Sequence, residues 1–265
     1  GFLHHHVEDN ILQRLADINR QFKHIAVLGV FDQRFAQSLK TLKPEAQITY
    51  LDISPKRLES IKKLGFKTCL FDGHMLPLKP HTFDLVLSPM FLHWIEDLPC
   101  LFMQMRHLLK DDGLLIAAFP SQDTLKELKA ALIHAETVLK NGCHRRCLIL
   151  PNLQEATHLL SSAGFALPVG DVERLTILWP DLYKLMHDLR GMGENNALSD
   201  RAYGFTPSAL FKMAQHYYRQ HFNDKKGGLK ASFNIIYLHG WAPSINQPKP
   251  LKRGSGTISL AEHLS

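Results

Sequence analysis

Apolar residues recur along the chain with two different periods, and the switching between them predicts the elements. Val7, Ile11, Leu12, Leu15, Ile18 and Phe22 fall at helical spacing and predict an amphipathic helix over about 7–22. Residues 24–30 are a short apolar run with Gly29 near its end, which reads as a buried strand. Asp32 can cap a helix whose inner face is Phe35, Leu39 and Leu42. Residues 48–51 form a second strand that ends at Asp52. Ser54 and Pro55 then open a helix with Leu58, Ile61 and Leu64 facing inward, stopped by Gly65. Residues 67–71 predict a third strand ending at Asp72, and residues 83–87 a fourth. A helix over about 97–110 carries Leu101, Phe102, Met105, Leu108 and Leu109. The Asp112-Gly113 turn leads from it into a fifth strand at 114–119.

Strands that alternate with helices predict an α/β fold with a doubly wound, Rossmann-like parallel sheet covered on both faces. Its ligand belongs beyond the carboxyl ends of the strands, where the strand order reverses. After residue 119 the rhythm loosens. Helices fit 122–140 and 152–163, a strand fits 171–179, helices fit 180–190 and 207–222 with Thr206 as a cap, and 232–241 is a last strand. The connection between the two late strands is far longer than usual and is the natural place for substrate recognition. The chain therefore divides into a helix at 1–23, a core at 24–179 with extra helices after strand five, a helical insertion at 180–231, and a last strand with a C-terminal arm at 232–265. Pro248, Pro250, Gly254 and Gly256 mark the arm.

Composition narrows the classes. Of 265 residues, 45% are hydrophobic and 21% charged, which excludes intrinsic disorder, collagen-like repeats and a disulfide scaffold. The net charge is +6, but Lys and Arg are scattered without a recognition motif, so nucleic acid is not an expected partner. No apolar run reaches the ~18–20 residues of a membrane span. The first residues carry no secretory pattern, and the chain opens at Gly1 without a methionine, which points to a natural start elsewhere. His4, His5 and His6 read as native, because the amphipathic pattern begins directly after them. Four cysteines suggest a reducing compartment: a bacterial cytoplasm, or the mitochondrial matrix for a eukaryotic chain. Cys143 and Cys147 flank His144, Arg145 and Arg146, but a metal site needs more ligands at defined spacing, and His74 and His93 are not placed near them. No metal is expected.

Two strand-end acids suggest a nucleotide. Asp52 follows Gly29 by 23 residues, the separation at which a carboxylate accepts two ribose hydroxyls. Asp72 ends the next strand and can accept from an adenine amino group.

Longer motifs carry a family likeness. Phe83-Asp84-Leu85-Val86-Leu87-Ser88, Leu92-His93-Trp94, Asp97-Leu98-Pro99 and Leu108-Leu109-Lys110-Asp111-Asp112-Gly113-Leu114-Leu115 resemble class I S-adenosylmethionine-dependent methyltransferases. The branch is that of the biotin-pathway malonyl-carrier-protein methyltransferase and the related mitochondrial complex I assembly factor. Trp179-Pro180, the stretch from Leu185 to Asn196, Phe233-Asn234-Ile235-Ile236-Tyr237, Gly240-Trp241 and Arg253-Gly254-Ser255 look like the same branch, nearer its assembly-factor side. The resemblance implies S-adenosylmethionine as cofactor, a class I methyltransferase sheet with a helical insertion before its last strand, and a first helix over the cofactor cleft. It implies cofactor contacts from Gly29, Asp32, Asp52, Ile53, Asp72, Gly73, His74, Ser88 and Met90.

The glycine loop departs from the family. The usual acid is Val27, and the two later glycines are Phe31 and Gln33. Phe31 puts a ring where the backbone normally approaches the ligand, and Asp32 is the candidate substitute acid. His93 is the candidate general base. Tyr183, Arg190 and the turn from Gly191 to Asn196, Asn195 among it, are the candidate acceptor pocket, in which Arg190 can grip a carboxylate; the alternative is a plain helix end stopped by Gly191. Three functions follow. One is methyl transfer to a small or carrier-linked acid. Another is assembly or arginine modification, since the assembly-factor side is associated with hydroxylation of an arginine on a respiratory-complex subunit. The third is a scaffold without cofactor. A nicotinamide dehydrogenase lacks support, because its glycine fingerprint is missing as well.

Overall fold

A computed structural model describes residues 1–140, 142–144, 146, 149–196, 204–225, 227–248 and 255. The elements run α1 (Phe2–Ala16), β1 (His24–Leu28), α2 (Gln33–Leu42), β2 (Gln47–Asp52), α3 (Pro55–Lys62), β3 (Lys67–Leu70), β4 (Phe83–Pro89), a single 3₁₀ turn (Leu92–Trp94), α4 (Leu98–Leu108) and β5 (Leu109–Pro120). They continue with α5 (Lys126–Lys140), α6 (Leu153–Ser162), β6 (Ala166–Trp179), α7 (Leu182–Gly191), α8 (Ser208–Phe222) and β7 (Leu229–Trp241). Arg145, Cys147, Arg253 and Gly254, with most of the C-terminal arm, lie outside the described residues.

The seven strands form one sheet in the order β3-β2-β1-β4-β5-β7-β6. The first five are parallel, as expected. One strand departs from that expectation: β7 inserts between β5 and β6 and runs antiparallel to both, while β6 keeps the direction of the first five. A parallel neighbour would need a crossover that returns the chain to the opposite end of the sheet. Here α7 and α8 bring it back to the end where β6 finished, and Leu229 starts β7 beside Trp179. The order reverses between β1 and β4, so the crevice opens at their carboxyl ends.

Strand side chains alternate between two cores. Ile25 and Val27 of β1 join one, while Ala26 and Leu28 join the other. Helices α1, α2, α3, α5, α7 and α8 contribute to the first core; α4 and α6 contribute to the second. Fully burying one such Ile or Leu stabilises by about 1.5–3 kcal/mol, so both faces of the sheet are strongly anchored.

The first helix starts earlier and ends earlier than its pattern suggests. The buried stripe is Leu3, Val7, Ile11 and Leu15, a strict i, i+4 repeat that draws His4–His6 into the helix. Ile18 and Phe22 reach the core from the segment after it. Arg14 grips Asp171 of β6 with two bonds of 2.9 and 2.7 Å, and this fastens α1 across the sheet. Strand β6 begins at Ala166, five residues before its expected start, with a register break before Val169 and Leu167 at φ +50°. No helix among the described residues is long and apolar enough to cross a membrane.

Candidate active site at the strand ends

The loop after β1 is held by strand β2. Gly29, at φ +91°, donates its N–H to the Leu51 carbonyl at 2.8 Å. A Cβ there would lie 2.4 Å from the Phe91 Cβ, so the space above the glycine is filled by the Phe91 ring. Asp52 is fully buried. Its two oxygens accept the N–H of Val30 at 2.8 Å and of Ser54 at 2.7 Å. Burial pushes its carboxyl upward, against the pull of those bonds and of Arg57. It clamps two strand-end turns together and presents no surface to a ribose.

The departures in the glycine loop have specific consequences. Phe31 stacks on the imidazole of His4, with ring centroids 4.0 Å apart and planes 13° apart. Gln33 donates to the Ser60 carbonyl and ties α2 to α3. Asp32 caps α2 through the Arg34 N–H at 2.9 Å and meets His5 Nε2 at 2.5 Å. The histidines are thus part of the site, not an appendage.

The ends of β2 and β3 are more open. Ile53 is 41% exposed, and Gly73, at φ +87°, lies beside Ile53 and Ile95. Asp72 is exposed; one of its oxygens accepts the N–H groups of His74 and Met75 in a tight turn, which holds its carboxyl below the usual range. A depression of about 420 Å³ lies over Asp72, Phe71 and Met75. This edge offers an apolar face at Ile53 and an acceptor at Asp72, the kinds of group an adenosine would need. His74 sits in the turn with its carbonyl held by Gln104.

On the β4 and β5 side a cavity of about 340 Å³ opens. Leu3, Leu128, Leu132, Met186, Phe211 and Phe233 supply apolar walls, and His93, Glu194, Arg190, Asn195 and Met90 line it as well. Met90 has φ +50°, a conformation rarely held by a side chain of its size, with its N–H fixed to the Ala118 carbonyl. Ser88 is buried, and its hydroxyl has no partner. The cavity therefore gathers His93, Met90, Arg190 and Asn195 from the sequence candidates. Tyr183 does not line it; it is 46% exposed and tilts against Phe211.

Glu194 lies within the turn expected to form the acceptor pocket, but the sequence did not single it out. Helix α7 runs through Gly191, the expected stop, and closes at Gly193, at φ +89°. The Gly193 N–H bonds the Arg190 carbonyl, and the Glu194 N–H bonds the Leu189 carbonyl, which is a Schellman closure. This turn swings Glu194 into the cavity. The spacing of Gly191 and Gly193 around Met192 was the available signal, but either glycine satisfied the pattern. His93 Nε2 lies 3.1 Å from Glu194 Oε1, and His4 Nε2 lies 3.9 Å from the same oxygen. Oε2 forms no hydrogen bond among the described residues. Burial pushes the Glu194 carboxyl up, but the His93 bond and the charges of His93, His4 and Arg57 outweigh it and hold it below its ordinary value. Burial drives His4 down to about 4. His93, tilted against Trp94, has its other ring nitrogen buried without a partner, so its first task is to anchor Glu194.

Comparison with known proteins places this geometry. Residues 27–117 match a model described as a methyltransferase domain. Human arginine-hydroxylase NDUFAF5, a mitochondrial protein, is 33% identical over 263 residues, covering 98% of this chain and 76% of that one. The chain belongs to this methyltransferase-fold family. Malonyl-[acyl-carrier protein] O-methyltransferase of Laribacter hongkongensis is 30% identical over 238 residues, covering 85% of the chain and 77% of the enzyme. The YcgJ protein of Bacillus subtilis shares the fold, with a TM-score of 0.61 at 14% identity, covering 91% of this chain and 99% of its own. Fold and family are those of S-adenosylmethionine-dependent methyltransferases, and solved members of the fold include complexes with S-adenosyl-L-methionine. Relatives come from mitochondria and from bacteria. At the two positions where the resemblance implies glycines, Phe31 fastens α1 to the loop and Gln33 ties α2 to α3.

Proposed function

We propose that the chain modifies an arginine of a protein partner, with the guanidinium seated on Glu194. One observation carries the reading: an ionised carboxylate with one oxygen uncommitted lines a cavity whose apolar walls suit one long side chain, while two cations on the same lining, Lys129 and Arg146, are held by the Gln122 carbonyl and by Glu136. A guanidinium is planar, always charged, and matches a carboxylate through a fork of donors. Leu3, Leu128 and Phe211 suit its aliphatic stem. The likeness to the arginine hydroxylase over almost the whole chain supports the same reading.

His93 holds Glu194 in place and keeps one of its oxygens occupied, so an incoming guanidinium meets the other. Ile53, Asp72, Gly73 and His74 would hold the adenosine of S-adenosylmethionine, which when bound supplies an electrophilic methyl group. The compartment follows the partner: a bacterial cytoplasm or a mitochondrial matrix.

Titration calorimetry with Nα-acetyl-arginine amide and Nα-acetyl-citrulline amide tests the seat. Arginine is expected to bind at least about tenfold more tightly, a charged hydrogen bond being worth roughly 1.5–3 kcal/mol. Equal binding of the two overturns the reading. Mass spectrometry of partner arginines then separates a gained oxygen from a gained methylene.

A second reading rests on Arg190, which is exposed on the same cavity and suits a free carboxylate of a carrier-linked acid. Methyl transfer to a malonyl-carrier substrate, lost in Arg190→Ala and kept in Glu194→Gln, would support it.

A further inference from the structure

Away from the cavity, α1 and the start of α2 bring a second set of groups together. His5, Glu8 and Asp32 each place one ligand atom within 4.8 Å of the others, the one such group of three among the described residues. His5 and Glu8 are three residues apart on α1, so they share a face of the helix. Asp32 approaches from the cap of α2, with its Oδ2 2.5 Å from His5 Nε2. None of the three lines the cavity, and the Phe31 ring beside them stacks on His4 and meets His5 edge-on at 5.9 Å.

Glu8 makes the set more than an acidic patch. It is only 2% exposed, and its Oε2, with no surface to water, has no hydrogen-bond partner. The nearest cation is Arg34, whose Nη1 stands 3.8 Å away, also without a hydrogen bond, while its Nη2 is committed to Asp9. A buried carboxylate without a donor is costly, and a second carboxylate beside it adds to the cost. Burial first, and Asp32 after it, accordingly push the Glu8 carboxyl up to about 8, so a proton relieves it in the metal-free chain. A divalent cation would displace that proton, balance both carboxylates, accept the imidazole lone pair and use the open oxygen.

We propose that His5, Glu8 and Asp32 form a binding site for a divalent transition-metal ion. One imidazole nitrogen with two carboxylate oxygens suits Mn²⁺, Fe²⁺, Co²⁺ or Zn²⁺. Calcium wants six to eight oxygens, which these residues do not supply. Three protein ligands leave coordination positions for water or a small ligand. The side chains of His5 and Asp32 are 37% and 36% exposed, so the ion enters from solvent, with Glu8 behind it. The site stands apart from the arginine reading, and either can fail without the other.

The test is Co²⁺ binding to the chelator-treated full chain, made without an added histidine tag and followed by visible absorption and calorimetry. One equivalent is expected, with a d–d spectrum of nitrogen and oxygen ligation. Glu8→Gln and Asp32→Asn are each expected to weaken binding by about tenfold or more, with unchanged circular dichroism showing that both fold. His6→Ala is expected to bind as the parent does. Failure of the parent to saturate with Co²⁺ or Mn²⁺ would overturn the site. So would equal affinity in Glu8→Gln, which would mean the run of histidines alone collects the ion. A parallel titration of Glu194→Gln, expected to bind normally, keeps the two proposals distinguishable.

Discussion

At the ends of β1 and β2, Asp52 is held by the Val30 and Ser54 N–H groups, and Gly29 lies under Phe91. At the ends of β4 and β5, one nitrogen of His93 and the Nε of Arg146 are buried without partners in residues that line a cavity of about 340 Å³. The first region answers its strand-end carboxylate from its own backbone and fills the space over Gly29 with its own ring. The second leaves its two nitrogens unanswered. Buried polar atoms without partners are uncommon because they are costly, so where they cluster around a cavity they mark the place where a ligand completes the structure. The contrast teaches that substitutions in the glycine loop did not merely remove a cradle. They converted it into a strut: Phe31 under α1, Gln33 onto α3, and Phe91 over Gly29.

The closed region breaks most severely through Gly29→Ala. The new Cβ meets Phe91 at 2.4 Å, and φ +91° disfavours any side chain. A loss of about 2–4 kcal/mol is expected, a fall in the melting midpoint of roughly 5–15 °C for a chain of this length. Adding Phe91→Gly, which removes the Phe91 Cβ as well as the ring, should relieve the overlap but not the backbone cost, so the combined loss falls below additivity. Simple addition of the two losses would mean that Phe91 does not fill this space.

The open region responds in binding instead. Glu194→Gln keeps the shape and the His93 contact but removes the charge. Its affinity for Nα-acetyl-arginine amide should drop about 10–100-fold, and its melting midpoint should move little. If stability falls as far as in Gly29→Ala, Glu194 is a structural strut like Asp52, and the contrast between the regions disappears.

A smaller effect sharpens the boundary between them. Phe31→Gly with Gln33→Gly restores the glycine pattern. S-adenosylmethionine is expected to bind the double variant about fivefold more tightly, near 1 kcal/mol, measured by calorimetry. Unchanged affinity would mean that Phe31, drawn onto His4, leaves the cofactor's room intact.

The sequence made the first region legible and the second only partly. The spacing from Gly29 to Asp52 and the caps at Asp32 and Ser54 are local signals, and each lands where it was expected. The function of Asp52 was not legible, because nothing in a sequence tells whether a strand-end carboxylate turns toward a ligand or toward two backbone N–H groups. The direction of β7 was hidden for a related reason: a strand of apolar residues pairs equally well either way, and only the path of α7 and α8 decides it. Glu194 depended on which of two glycines closed a helix. His4 depended on a ring 27 residues away, at Phe31. These are long-range choices made by packing, not by periodicity.

The smallest expected effect concerns acid. Glu194 is held below its ordinary value of 4.5 in the folded chain, burial being outweighed by His93, His4 and Arg57. The unfolded chain therefore binds its proton first as pH falls. The stabilisation is complete above about pH 4.5 and is lost as pH drops through the lower folded value. Denaturant unfolding of the parent should weaken more steeply below pH 4.5 than that of Glu194→Gln, while above it the two curves should run parallel. Arginine binding should fade over the same low range, because a protonated Glu194 has no charge to offer the guanidinium. If the parent and Glu194→Gln weaken equally in acid, Glu194 is not held in its charged form by its neighbours. The open region would then owe its shape to apolar packing alone, and its difference from the closed one would be of space and not of charge.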